Sequence, residues 1–307
     1  MQMREIFGSF LDKAMTEDDK VVVIDADLAR ADGTFNLRKA HPDRALDVGI
    51  AEQNMASVAA GMASYGFRPY ITSFSPFATR RLLDQLAISV GYSKLNVKVV
   101  GTDPGITAEV NGGTHMGLED IGCLRSLAGI VIVEPSDPMQ LEQALSQIDA
   151  YDGYLYLRLF RKELPVIHKE DYKFDLFKAD VLREGKDVTL LSSGFLTADV
   201  LKAAELLAQE GIDAEVVEVH TVKPIDAETI CRSVAKTGCA VTVENHNVIG
   251  GLHSAVLEAI ARKPVPVTKV GIQDRFGEVG KLPYLREVMH MTMDDILAAA
   301  RDAVSLK

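Results

Sequence analysis

The chain has 307 residues, 47% of them hydrophobic and 25% charged, with a net charge of −11 and no tryptophan. That balance excludes a disordered or low-complexity chain, and the surplus of acid repels phosphate backbones, so nucleic acid is not an expected partner. Three cysteines (Cys123, Cys231, Cys239) build no disulfide framework and suit a reducing compartment, and no apolar run approaches the ~20 residues that span a bilayer, so a cytoplasmic protein away from membranes is expected.

Strands are expected at Val21–Asp25, Ala45–Val48, Pro69–Ser73, Val97–Val100, Ile130–Glu134 and Tyr154–Leu159, each short, continuous and apolar, as strands covered on both faces are. Helices are expected between them: Glu52–Tyr65, stopped by Gly66; Pro76–Val90, with proline in its first turn; and Pro138–Ile148, capped by Ser136 or Asp137. Lys162 to Lys186 is charged and aperiodic. The alternation then restarts with strand Val188–Ser192, helix Thr197–Gln209, strand Ala214–Val219, helix Asp226–Lys236, strand Ala240–Glu244, helix Gly251–Arg262, strand Val267–Val270 and a last helix, Met293–Val304, capped by Thr292. The expected fold class is therefore α/β, with two doubly wound domains built on mostly parallel sheets. The first domain is set at 1–165, a linker at 166–185 and the second domain at 186–307.

In such sheets ligands sit beyond the carboxyl ends of the strands. The residues there are Asp25-Ala26-Asp27, Gly49-Ile50-Ala51-Glu52-Gln53, Phe74-Ser75-Pro76-Phe77 and the Gly101–Gly117 loop, which carries five glycines and His115. In the second half they are Gly194, His220 and the Glu244–Gly251 turn. No G-x-G-x-x-G follows a strand, and no P-loop, H-E-x-x-H, G-x-S-x-G or C-x-x-C occurs. Glu244, His246 and His253 read as a polar turn beside a helix start rather than a metal site. The cysteines read as buried small hydrophobes.

Asp47-Val48-Gly49-Ile50-Ala51-Glu52-Gln53-Asn54 resembles the transketolase superfamily, whose members use thiamine diphosphate. The resemblance runs on through Phe74-x-x-Phe77, Gly113-Thr114-His115 and Glu134-Pro135-Ser136-Asp137. It makes residues 1 to about 165 a pyrimidine-binding domain and about 186 to 307 a transketolase C-terminal-like domain. It implies that Glu52 shares a proton with a ring nitrogen of the cofactor's aminopyrimidine, that Phe74 and Phe77 stack on that ring, and that Asp27 lies near it. It gives His115 to the substrate's hydroxyl and carbonyl oxygens and Arg161 to the substrate's phosphate, with Arg158 able to take over the task.

The chain also departs from the pattern. Asp103 stands where transketolases carry a second substrate histidine, Ala31 where they keep a serine, and Arg80 where they have a tyrosine and deoxyxylulose-phosphate synthases an arginine. A non-standard sugar pair is therefore expected, with Arg80, Asp103, His115 and Arg161 as substrate residues. Gly-Asp-Gly, the family's mark for the Mg²⁺ and diphosphate domain, is missing, and Met1 stands almost at the start of the pyrimidine-binding domain. The resemblance thus implies one subunit of a split enzyme that holds no metal itself. A diphosphate-binding N-terminal subunit is the expected partner, in an α₂β₂ assembly acting on phosphorylated ketose and aldose. The small residues of the 52–65 helix (Ala51, Ala56, Ser57, Ala59, Ala60, Gly61, Ala63) are an expected interface. The alternatives are the C-terminal half of a deoxyxylulose-phosphate synthase, the β subunit of a 2-oxo-acid dehydrogenase decarboxylase, and a non-catalytic module of the same fold.

Overall fold

Val21–Asp25 (β1) is buried along its whole length, as an unbroken β-branched run requires of a strand with both faces covered. In the computed structural model, which describes residues 1–307, the other strands are Ala45–Asp47 (β2), Arg68–Phe74 (β3), Lys98–Thr102 (β4), Val131–Val133 (β5), Leu155–Leu159 (β6), Asp180–Arg183 (β7), Val188–Ser192 (β8), Ala214–Glu218 (β9), Thr221–Lys223 (β10), Ala240–Asn247 (β11) and Val267–Ile272 (β12). They form two sheets, one in the order β10-β5-β6-β4-β3-β1-β2 and one in the order β12-β11-β8-β9-β7. All pairings are parallel except β10 with β5 and β7 with β9. The α/β reading with two mostly parallel sheets holds.

Two connections were not expected. β10 comes from the second half of the chain yet closes the edge of the first sheet, and β7 lies inside the stretch set aside as a linker. Both are edge strands of three or four residues, too short to stand out by periodicity. Their effect is to stitch the halves together. The largest apolar cluster runs through both, with the rings of Phe160 and Phe195 stacked 5.7 Å apart across the joint.

The helix Met3–Glu17 was also unanticipated. It buries Met3, Phe7, Leu11 and Met15 at a spacing of four, and Glu5 accepts from the Gln2 backbone N–H at 2.9 Å to close a capping box. The helix expected at Pro76–Val90 is corrected. Phe74 to Ala78 form tight turns onto the Phe74 carbonyl, Thr79 is non-helical, and regular winding starts only at Arg80, ending in a π-helical turn over Leu86–Tyr92. Thr292 caps Met293–Ser305, and Asp226 caps Ala227–Thr237, each worth ~1 kcal/mol. Cys231 is exposed, against expectation, while Cys239 is buried. No helix is long and apolar enough to cross a membrane.

Candidate active site

The central residues of this site stand at or after the ends of parallel strands of the first sheet. Glu52 opens the Glu52–Ser64 helix after β2, Phe74 ends β3, Asp103 follows β4 and Arg161 follows β6. The register Phe74↔Thr102↔Leu159 puts three of these strand ends level.

Glu52 is 1% exposed. Its Oε1 accepts from Arg81 at 2.7 Å and from the Ser73 hydroxyl at 3.4 Å, while Oε2 is buried with no partner. Arg81 stacks its guanidinium 3.8 Å from the centre of the Phe77 ring. Phe77 meets His115 edge-on at 5.2 Å, and Phe74 lies 6.3 Å from Phe77 and 6.0 Å from His115. The Thr114 hydroxyl stands 2.8 Å from His115 Nδ1, which leaves Nε2 as the ring's free nitrogen. Arg161 closes the row, 5.4 Å from the Phe74 ring centre.

Arg161 Nε stands 2.6 Å from an Asp103 carboxylate that is itself fully buried. Burial pushes the Asp103 carboxyl up to about 6, against the pull of Arg161. Arg80 is exposed and pairs with Glu119. With Gly113, Met116, Asn247 and Arg275 it lines a cavity of about 260 Å³, so the second domain supplies part of the rim. Asp27 is not drawn into this row. It is exposed at positive φ, and its backbone N–H donates to Asp47 at 3.1 Å.

Arg158 cannot do the phosphate task that was held open for it. In a strand with both faces covered it is wholly buried, bonded to Asp120, Glu134 and the Asn245 carbonyl. It anchors the joint between the halves, where Glu134 also accepts from Ser193 at 2.7 Å. The Glu244 turn is likewise structural. Glu244 accepts the N–H groups of Leu252 and His253 at a helix start, and burial lifts its carboxyl to about 8. His246 accepts from the Gly122 N–H, and burial lowers it to about 4. Of the small residues in the 52–64 helix, Ala56, Ala59 and Ala60 pack inward, while Ser57 and Gly61 face outward.

Sequence reasoning missed two polar residues here. Arg81 follows Arg80 with no pattern to tell them apart. Asp32 lies buried under the strand ends, accepting from Thr102 at 2.6 Å and Thr72 at 2.8 Å, and burial raises its carboxyl to about 7.

Residues 1–166 match the family model for the transketolase pyrimidine binding domain, and residues 177–296 match the transketolase C-terminal domain. A 6-deoxy-6-sulfo-D-fructose transketolase subunit of Clostridium sp. (strain MSTE9) is 48% identical over 99% of this chain and 95% of its own length. A 1-deoxy-D-xylulose-5-phosphate synthase of Geobacter sulfurreducens is 35% identical over 98% of this chain, which spans only 48% of that enzyme. Among solved structures, a split-gene transketolase chain in an inactive β4 tetramer superposes with a TM-score of 0.89 at 38% identity, covering 100% of this chain and 99% of that one.

Proposed function

This chain belongs to the transketolase family, and from that membership and the geometry above we propose that it is the pyrimidine-binding half of a split enzyme that moves a two-carbon ketol unit between sugars with an anionic tail. The observation that carries the reading is Glu52. A carboxylate buried with one oxygen satisfied and the other bare is costly unless a donor meets it. A protonated ring nitrogen of thiamine diphosphate is a donor of the right kind, and Phe74 and Phe77 beside it suit an aromatic ring. The cofactor, when bound, supplies the electron sink that lets the bond beside a ketose carbonyl break.

The chain's own residues do the rest. Glu52 Oε2 accepts and returns a proton, while Arg81 and Ser73 hold Oε1 still. His115, tied through Nδ1 to Thr114, offers Nε2 to the substrate's hydroxyl and carbonyl oxygens as their charge changes. Arg161, beside the Phe74 ring, has N–H donors left for the substrate's tail. Asp103 offsets much of its charge, which favours a singly charged sulfonate over a doubly charged phosphate. The relative's sulfo-sugar agrees with that balance. Arg80 serves the rim of the substrate cavity, and Asp27 the lip beyond β1.

Mg²⁺ and the diphosphate fall to a partner subunit in an α₂β₂ assembly, in keeping with the subunit and split-gene relatives. Three free cysteines suit a cytoplasmic setting. The synthase alternative rests on Arg80 and on a synthase relative of which this chain spans only 48%. The test is reconstitution with a diphosphate-binding partner and 6-deoxy-6-sulfofructose as donor. Glu52→Gln should lower turnover at least a hundredfold while the variant still assembles. Unchanged turnover would overturn the reading.

A further inference from the structure

A second polar cluster lies where the halves join, away from Glu52. The helix Pro138–Ala150 starts at Asp137, whose carboxylate accepts the backbone N–H groups of Ile167 and His168 and stands 3.0 Å from His168 Nδ1. The other ring nitrogen, Nε2, stands 2.9 Å from Glu218 Oε2 at the end of β9. Asp180, the first residue of β7, brings a carboxylate close enough that one ligand atom from each of His168, Asp180 and Glu218 lies within 4.8 Å of the others. His220 is fully buried, and its Nε2, which has no hydrogen-bond partner, stands 3.7 Å from Asp180 Oδ2. Glu218 Oε1 is also buried and unpartnered.

The charges do not balance within the protein. Asp137, Asp180 and Glu218 face one another around His168, and no lysine or arginine pairs with any of them. Gln140 and Tyr172 add only neutral donors, to Glu218 at 2.9 Å and to Asp180 at 2.7 Å. A protonated His168 offsets one of three negative charges. It leaves His220 Nε2 and Glu218 Oε1 with nothing to bind.

We propose that this joint is a divalent transition-metal site, with His168 Nε2, Asp180 and Glu218 as ligands and the bare His220 Nε2 beside Asp180. An imidazole with two carboxylates suits zinc, manganese or cobalt rather than magnesium or calcium. The 2.9 Å between His168 Nε2 and Glu218 Oε2 is a hydrogen-bond spacing, which opens to about 3.4 Å when two ligand atoms ~2.1 Å from a shared ion take a tetrahedral angle. Outer groups are in place as well: Tyr172 orients Asp180, Gln140 orients Glu218, and an Asp137 oxygen stands 3.0 Å from His168 Nδ1. Asp180 is 24% exposed and gives the ion a way in. Bound there, the ion ties the 166–185 stretch, β7, β9 and the first domain's helix together.

The test uses the full chain, untagged and stripped with EDTA. Zn²⁺ at a hundredfold excess over its Kd should raise Tm by roughly 5 °C, and Mg²⁺ should not. Co²⁺ should bind one per chain with visible bands and no thiolate charge transfer, which separates this site from the cysteines. Glu218→Gln keeps volume and should abolish both effects. Asp180→Asn, at a part-exposed position, should weaken binding at least tenfold in a chain whose circular dichroism is unchanged. Absence of stoichiometric uptake, a thiolate spectrum, or binding undiminished in folded variants would overturn the proposal and leave a protonated-histidine clamp in its place.

Discussion

Arg81→Leu removes the one cation that meets Glu52. Taking one partner from a fully buried ion pair costs about 3–5 kcal/mol, because the other charge stays buried and unpaired. An exposed pair is worth about 0–1 kcal/mol. Here the glutamate side chain is 2% exposed and the arginine 35%, so solvent screens one end, and about 2 kcal/mol is the expected loss, including the stacking on Phe77. Glu52→Gln leaves only a cation that water can reach and should cost less than about 1 kcal/mol. The double variant should recover part of the loss, giving a coupling of about 1–1.5 kcal/mol in urea unfolding at neutral pH. Arg81→Lys should keep half or more of the stability. If Arg81 holds Oε1 for the chemistry, Arg81→Leu in the reconstituted enzyme should lower kcat about 30-fold, the equivalent of ~2 kcal/mol, with little change in KM. Single effects that add to within about 0.3–0.5 kcal/mol would refute the coupling.

Asp32 gives a pH prediction. Its folded carboxyl holds its proton to about 7, above the ordinary 3.8, so the folded state binds that proton more tightly and stability falls as pH rises between those values. Asp32→Asn should therefore be more stable than the parent at pH 8, by up to about 4 kcal/mol, and should lose the advantage near pH 4. Urea midpoints that run parallel for the two proteins across that range would contradict it. Asp103→Asn should free the charge of Arg161, lowering KM for a phosphorylated donor severalfold relative to a sulfonated one; a ratio unchanged within twofold in steady-state assays would remove Asp103 from specificity. Arg158→Met leaves Asp120 and Glu134 buried without their cation and should cost about 3–5 kcal/mol by calorimetry. A loss under about 1 kcal/mol would show that water enters the joint.

What could be read beforehand follows from how local each cause is. The clustering of Glu52, Phe74, Phe77 and His115 was legible because they belong to the ends of parallel strands and the loops that follow them, and because each sits in a short contiguous pattern. Arg81 was not, since neighbours on a helix point ~100° apart and the irregular start at Thr79 decides which of Arg80 and Arg81 turns inward. β10 was invisible because its partner β5 lies about ninety positions earlier and three residues carry no period.

Arg158 shows a signal that was present and misread. In Leu155-Tyr156-Leu157-Arg158-Leu159 the strand has no solvent face, so a charge in it must be buried and must be paired. That rules out a free phosphate grip without any knowledge of its partners. The same rule applies to Glu218, at the end of the buried β9, which no arginine or lysine answers. Where a covered strand ends in a carboxylate and its neighbours offer only histidines, neutral donors and further acid, the compensating charge has to come from a proton or from outside the chain. The histidine ring nitrogen left bare at position 220 favours the latter.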